Sequence, residues 1–190
     1  MTKKENMRKL IKKGDKPRVL LEGKYLRLIR WGGWEYAQRN NCTGIVVVIA
    51  LTADGKVILT RQWRPPVKKD VIEFPAGLVN DNKDCHKNES MALAAQRELL
   101  EETGYQAQRM KKILTGPVSA GFSSDLISIY LASGLTKKTD GGGDATENIR
   151  TYTVPLAHVE RWLKEKMRQG CLIDPKVYAG LYFLYRASIK

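Results

Sequence analysis

The order of local patterns predicts an α+β fold arranged as an α/β/α sandwich. Strand-type runs dominate from Val19 to Phe74, one helix pattern follows, and further strands precede two C-terminal helix patterns. Strands and helices therefore do not alternate as they do in a βαβ protein. At 190 residues the chain is long enough for one substantial core.

Residues 1–17 read as a basic arm, and 18–190 as the folded domain. Val19 to Arg30 has the pattern of a strand or hairpin, with Gly23 as a turn or bulge. Trp31-Gly32-Gly33-Trp34 is a turn, after which Glu35 to Asn40 extends again. Gly44 to Leu51 is a β-branched central strand, Asp54-Gly55 a hairpin turn, and Lys56 to Trp63 the return strand. Pro65-Pro66 ends it. Val71 to Phe74 is short and extended, and Gly77 to Lys87 is a polar loop. Asn88 or Ser90 caps a helix that runs to Thr103, with Met91, Leu93, Ala94, Leu99 and Leu100 as its apolar side and Gly104 as its stop. Strands are expected around Met110 to Leu114, Leu126 to Ala132 and Asn148 to Val154, with a flexible Gly-rich loop over Thr136 to Ala145. Pro155 opens a helix with Leu156, Val159, Trp162, Leu163 and Met167 as its stripe. A last helix begins at Asp174-Pro175, with Val177, Leu181 and Leu184 on one side.

Composition narrows the function classes. Hydrophobic residues make up 43% and charged residues 28%, the balance of a soluble globular chain. No apolar run approaches the roughly 18 to 20 residues of a membrane span, so no membrane partner is expected. Cys42, Cys85 and Cys171 are scattered without a metal or redox spacing and read as free thiols. With a polar N-terminus, this predicts cytoplasmic residence. The net charge is +13, and residues 1–30 hold eleven Lys/Arg against three acids. That arm is either a solvated tail or an anion-binding surface. No nucleic-acid-binding motif accompanies it, so a nucleic-acid partner is not expected.

Against this basic background, acids cluster in one helix. Glu98, Glu101 and Glu102 stand at i, i+3 and i+4 and share a face, where like charges repel. A hard divalent cation such as Mg²⁺ or Mn²⁺ removes that cost, because both prefer carboxylate oxygens. Such ions suit substrates with phosphoryl oxygens, which they neutralise.

The run Glu89, seven intervening residues, then Arg97-Glu98-Leu99-Leu100-Glu101-Glu102-Thr103-Gly104-Tyr105 resembles the signature of the Nudix hydrolase family. The family places five residues between its first glycine and glutamate. Here eleven, Leu78 to Asn88, separate Gly77 from Glu89. A surface loop absorbs such an insertion at small entropic cost. The resemblance extends to Trp34-Glu35 and Arg39, Arg61 to Pro66, Glu73 to Leu78, Ser119-Ala120-Gly121-Phe122-Ser123 and Asp174 to Ala179. Together these are similar to the branch that hydrolyses ADP-ribose and other nucleoside-diphosphate sugars. Ala120 stands where ADP-ribose enzymes commonly carry proline, which leaves the preferred sugar nucleotide open.

The resemblance implies a mixed central sheet with an N-terminal antiparallel strand region. It also implies a homodimer in which residues 18–40 contribute to dimerisation and to the substrate site. Glu98, Glu102 and Glu101, with the Ala76 carbonyl, are the implied Mg²⁺ ligands, and Mn²⁺ is an alternative ion. Arg97 is implied to orient a box glutamate. Trp34 matches a base-stacking position, Arg39 and Arg64 match diphosphate or ribose contacts, and Gly121 and Phe122 match the substrate rim. As bare residues, Trp34, Arg39 and Arg64 fit core or surface equally well. The general base is either Glu147, on a loop after Gly141-Gly142-Gly143, or a box glutamate such as Glu101 acting on a metal-bridged water. The expected reaction splits a nucleoside-diphosphate sugar into a nucleoside monophosphate and a sugar phosphate. The rival expectations are an RNA-end or nucleotide pyrophosphohydrolase that uses the arm, and a non-catalytic nucleotide-sugar sensor.

Overall fold

The computed structural model describes residues 11–12, 14–80, 88–143 and 148–188. β1 (Arg18–Glu22), β2 (Leu26–Trp31) and β3 (Trp34–Arg39) form an antiparallel three-stranded sheet in which Trp31 pairs with Trp34 across the turn. The Trp31 indole donates to the Asp15 carbonyl at 3.1 Å, which ties the end of the arm to this hairpin. Residues 1–10 and 13 of the expected arm lie outside the described residues.

The mixed β layer expected at the centre comprises two four-stranded sheets. One is ordered β10 (Arg150–Pro155), β5 (Lys56–Arg64), β6 (Lys69–Glu73) and β11 (Leu172–Ile173). The other is β7 (Ala76–Val79), β4 (Gly44–Ala50), β9 (Leu126–Lys137) and β8 (Tyr105–Pro117). Each contains one parallel pair, β6 with β11 and β4 with β9. The helices are α1 (Met91–Thr103), α2 (Val159–Arg168) and α3 (Pro175–Ser188).

β4 shows how the layers stack. Val47 and Ile49 pack into a core with Val159 and Leu163 of α2 and Val177, Leu181 and Leu184 of α3. Val46, Val48 and Ala50 pack on the other side with Ala94, Ala95 and Leu99 of α1. A strand covered on both faces needs an unbroken apolar run, which is why GIVVVIA does not alternate. The sandwich of α1, sheet, and α2 with α3 follows from that double burial.

Several local expectations change. β7 takes up the first residues of the expected Gly77–Lys87 loop, because residues 76–79 pair antiparallel with β4. β8 and β9 extend well beyond the expected strands through a long shared register. The Gly-rich segment is not free over 138–143. Gly142 and Gly143 donate to the Glu102 and Glu101 carbonyls at 2.9 and 3.0 Å, so the segment closes the C-terminal end of α1. In α2, Met167 is exposed rather than part of the stripe, and in α1 Leu93 is exposed while Ala95 is buried. Leu156–His158 form a 3₁₀ turn before α2. Cys42 is half-buried and Cys171 is a buried free thiol; Cys85 lies outside the described residues. Among the described residues, no helix is long and apolar enough to cross a membrane.

Candidate active site

Helix α1 is fixed at both ends. The Ser90 hydroxyl accepts from the Leu93 N–H at 3.3 Å, satisfying a first-turn donor. Of the two candidate caps, Ser90 is the one used. Gly104 ends the helix in the left-handed region at φ 73°, and its N–H donates to the Leu100 carbonyl. The helix lies on β7, and this contact separates the three glutamates by depth. Glu98 and Glu102 are only 8% and 5% exposed, while the Glu101 side chain is half exposed. They share a face, but only the i, i+4 pair is turned into the protein.

The buried pair meets the β7 backbone. Glu102 Oε2 accepts from the Ala76 N–H at 3.2 Å. The Glu98 carboxylate occupies the space where a side chain at position 77 would begin, so a Cβ on Gly77 overlaps it. Gly77→Ala is therefore expected to fold, because the obstructing group is a side-chain end, yet to displace the Glu98 carboxylate. Its Mn²⁺ affinity should drop about 10- to 100-fold, the range for disturbed outer-shell groups. Unchanged affinity in a metal titration would contradict that placement.

Arg97 organises the carboxylates. Its Nε and Nη2 donate to the two Glu89 carboxylate oxygens at 3.0 and 3.2 Å, a bidentate pair. Its Nη1 donates to Glu98 at 2.8 Å and Glu101 at 3.0 Å, and its Nη2 also reaches the Leu78 carbonyl at 3.0 Å. Burial by itself lowers the guanidinium pKa. Its hydrogen bonds to Glu89 and Glu101 and the charges of Glu98 and Glu89 outweigh it and raise the pKa above its ordinary value. Arg97 is thus permanently charged, and it relieves part of the repulsion on the helix face.

Among the described residues, no three His, Cys, Asp or Glu side chains form a ready-made metal cage. Mg²⁺ does not require one: it keeps several waters and takes one or two carboxylates together with substrate phosphates. Two buried carboxylates beside the Ala76–Gly77 backbone are all hard oxygen donors, so the residues fit such an ion.

A cleft of about 620 Å³ opens over this surface. Glu98, Glu101, Arg97, Ala76 and Gly77 line it, and so do Arg39, Arg64 and Phe122; Glu102, buried beneath, does not. Arg64 Nε donates to Glu73 at 2.7 Å, and Arg39 Nε lies 3.4 Å from an Asp125 carboxylate oxygen. Both guanidiniums are thereby oriented and keep donors to spare. The 119–123 turn reaches the cleft because Ala37 of β3 donates to the Phe122 carbonyl at 2.8 Å and accepts from Ser124 at 3.1 Å.

Other expected site residues stand apart. Trp34 is 41% exposed at the far end of β3 from Arg39, about 17 Å along a strand, and does not line the cleft. Gly121 also lies off the lining, with open space where a Cβ would be. Glu147 falls outside the described residues. The cleft also contains Asp125, which has no sequence signal, and Glu73 and Lys176, which lie in segments that carry the resemblance but are given no role by it; Glu73 and Asp125 hold the arginines, and Lys176 stands at the start of α3. Sheet pairing brings them in from distant parts of the chain.

Comparison with known proteins bears on the family and the fold. A family model described as the NUDIX domain matches residues 43–170. The "Methanol dehydrogenase activator" of Bacillus methanolicus is 36% identical over 142 residues, covering 74% of this chain and 71% of that protein. The "ADP-sugar pyrophosphatase" of Mus musculus is 48% identical over 141 residues, covering 70% and 62%. The fold matches a solved "ADP compounds hydrolase" with a TM-score of 0.65 at 20% identity, over 92% of this chain and 91% of that one. With a glutamate helix seated on a glycine-bearing strand and the family model spanning both, the chain belongs to the Nudix family.

Proposed function

We propose that the chain hydrolyses the pyrophosphate bond of ADP-ribose or a related nucleoside-diphosphate sugar. The observation that carries this is the shared cleft: Glu98 and Glu101 with the Ala76–Gly77 backbone, and Arg39, Arg64 and Lys176, all line it. A diphosphate needs both, since cations hold its oxygens and hard donors hold the ion that neutralises it. The ADP-sugar pyrophosphatase relative supports the substrate class.

Glu98, Glu102 and the Ala76 carbonyl would hold Mg²⁺, with Glu101 at the rim. The ion would supply charge neutralisation on phosphoryl oxygens and a more acidic bound water. The chain's own residues do the rest. Arg97 keeps Glu98 and Glu101 aligned. Arg39 and Arg64 grip the diphosphate or ribose. Glu101, half exposed at the cleft, is positioned to accept a proton from water; Glu147 is the other candidate base. Trp34 would stack on the base only from a second subunit. The apolar residues that β1 and β2 leave exposed, among them Val19, Leu20, Leu21 and Leu28, support such a homodimer. Sedimentation giving a monomer at micromolar concentration would remove Trp34 from the site.

The test is a hydrolysis panel of ADP-ribose, ADP-glucose, GDP-mannose and UDP-sugars with Mg²⁺ in ¹⁸O-water. Release of a nucleoside monophosphate and a sugar phosphate from at least one is expected, with the label marking the attacked phosphorus. No metal-dependent cleavage of any member would overturn the proposal.

A further inference from the structure

The stretched spacing between Gly77 and Glu89 raises a geometric problem. Glu89 must meet Arg97 from the end of a segment longer than its family pattern, yet it makes a bidentate pair. Something has to fix the place where the chain returns. We infer that Asn80 is a positioning residue that clamps the stem of the inserted segment and holds Glu89 in register with α1. This rests on the hydrolase reading above.

The contacts form one chain. Asn80 follows the last residue of β7 and adopts φ 58°, a left-handed conformation that asparagine tolerates better than most residues. In that conformation its Oδ1 accepts from the Glu89 N–H at 2.7 Å. Its Nδ2 donates to Thr43 Oγ1 at 2.7 Å and approaches the Glu89 carbonyl at 3.5 Å. Thr43 is itself tied to β7, its N–H donating to the Val79 carbonyl at 2.9 Å. The side chain of Asn80 thus adds a rung beyond the β4–β7 ladder and fastens the incoming backbone of Glu89 to it. From Glu89 the chain of contacts passes to Arg97 and, through Nη1, to Glu98 and Glu101. Arg97 also returns to β7 at the Leu78 carbonyl, so the circuit closes on the strand that carries Gly77.

The chemistry needs an amide at position 80. Both a donor and an acceptor are used, and only Asn supplies both at this length. The consequence is electrostatic. While Glu89 occupies Nε and Nη2 of Arg97, only Nη1 remains for Glu98 and Glu101. If Glu89 loosens, the guanidinium charge is balanced by the two box glutamates alone. They turn towards it and become poorer cation ligands. Asn80 therefore affects metal affinity without touching metal or substrate. It also separates the length of the inserted segment from the geometry of the carboxylates.

The test compares Asn80→Gly, which keeps the backbone conformation but loses the clamp, with Asn80→Asp, which keeps the acceptor for the Glu89 N–H. Mn²⁺ binding to the full chain is measured by electron paramagnetic resonance, and Mg²⁺ half-saturation and substrate KM by kinetics. Asn80→Gly should weaken Mn²⁺ binding about tenfold, as other outer-shell losses do. Substrate KM and kcat at saturating Mg²⁺ should stay within about twofold of wild type, since Asn80 acts on the ligands alone. Asn80→Asp keeps the acceptor for the Glu89 N–H but loses the donor to Thr43, so its affinity should fall between those of Asn80→Gly and wild type. In a Glu89→Gln background, Asn80→Gly should add little, because its effect runs through Glu89. Equal Mn²⁺ binding by wild type and Asn80→Gly overturns the inference and leaves the hydrolase reading intact. So does an undiminished effect in the Glu89→Gln background. Should Asn80→Gly fail to fold, Thr43→Val removes the anchor of the Asn80 amide, and unchanged Mn²⁺ binding there also overturns it. A wild-type chain that binds no Mn²⁺ overturns both readings.

Discussion

Replacing Glu102 with glutamine is expected to leave the fold intact and remove almost all turnover. Glu102 is 5% exposed, and its carboxylate accepts from the Ala76 N–H. Glutamine has nearly the same shape and retains an acceptor for that hydrogen bond. A buried charge is lost, which relieves repulsion from Glu98 one turn away. The melting temperature should therefore equal or exceed that of the wild type. Catalysis should fall by more than about 100-fold, because loss of a direct ligand exceeds the loss of an outer-shell partner. Kinetics with the best substrate of the panel, alongside thermal unfolding, gives both numbers. Near-normal turnover in a folded Glu102→Gln variant would remove Glu102 from the metal site.

Gly104→Ala should do the reverse, damaging the fold first. Gly104 has φ 73°, where an L side chain is strained by about 1–2 kcal/mol. A Cβ there also overlaps the Thr139 carbonyl, which is backbone and cannot swing away as a side chain would. The Gly104 carbonyl in turn accepts from Lys138 and Thr139 at 2.8 and 3.2 Å, so the clash pries apart the cap on α1. A total cost of about 2–4 kcal/mol is expected, or about 5–15 °C in melting temperature for a chain of this size. Gly121→Ala is the control: its Cβ meets nothing within 4 Å, and stability should move by less than about 0.5 kcal/mol. Equal melting temperatures for Gly104→Ala and wild type would show that the 138–143 segment does not constrain the helix end.

Much of the fold was legible because it is written in local pattern. The unbroken apolar run of β4 announced a buried central strand. Ser90 and Gly104 bounded α1, and Val177, Leu181 and Leu184 marked the buried side of α3. The misreadings share a cause. β7 and β11 are four and two residues long, too short to show a period, and exist because a neighbouring strand pairs with them. The glycines at 141–143 suggested freedom. Their role in capping α1 depends on β9 delivering them to its end. Leu93 and Met167 fit helical spacing, yet among the described residues no element buries them.

The candidate site divides along the same line. The sequence by itself determined the chemistry: the Glu89–Gly104 spacing puts carboxylates and one arginine on a helix, and helical geometry alone gives them a common face. It also exposed the insertion before Glu89. Only the tertiary structure decided which carboxylates are buried, that Arg97 is shared among Glu89, Glu98 and Glu101, and that Arg39 and Arg64 line the same cleft while Trp34 does not. The physical reason is range. Periodicity and capping act over a few residues, whereas burial of Glu98 against Gly77 requires β7 to pair with β4 and α1 to settle on both.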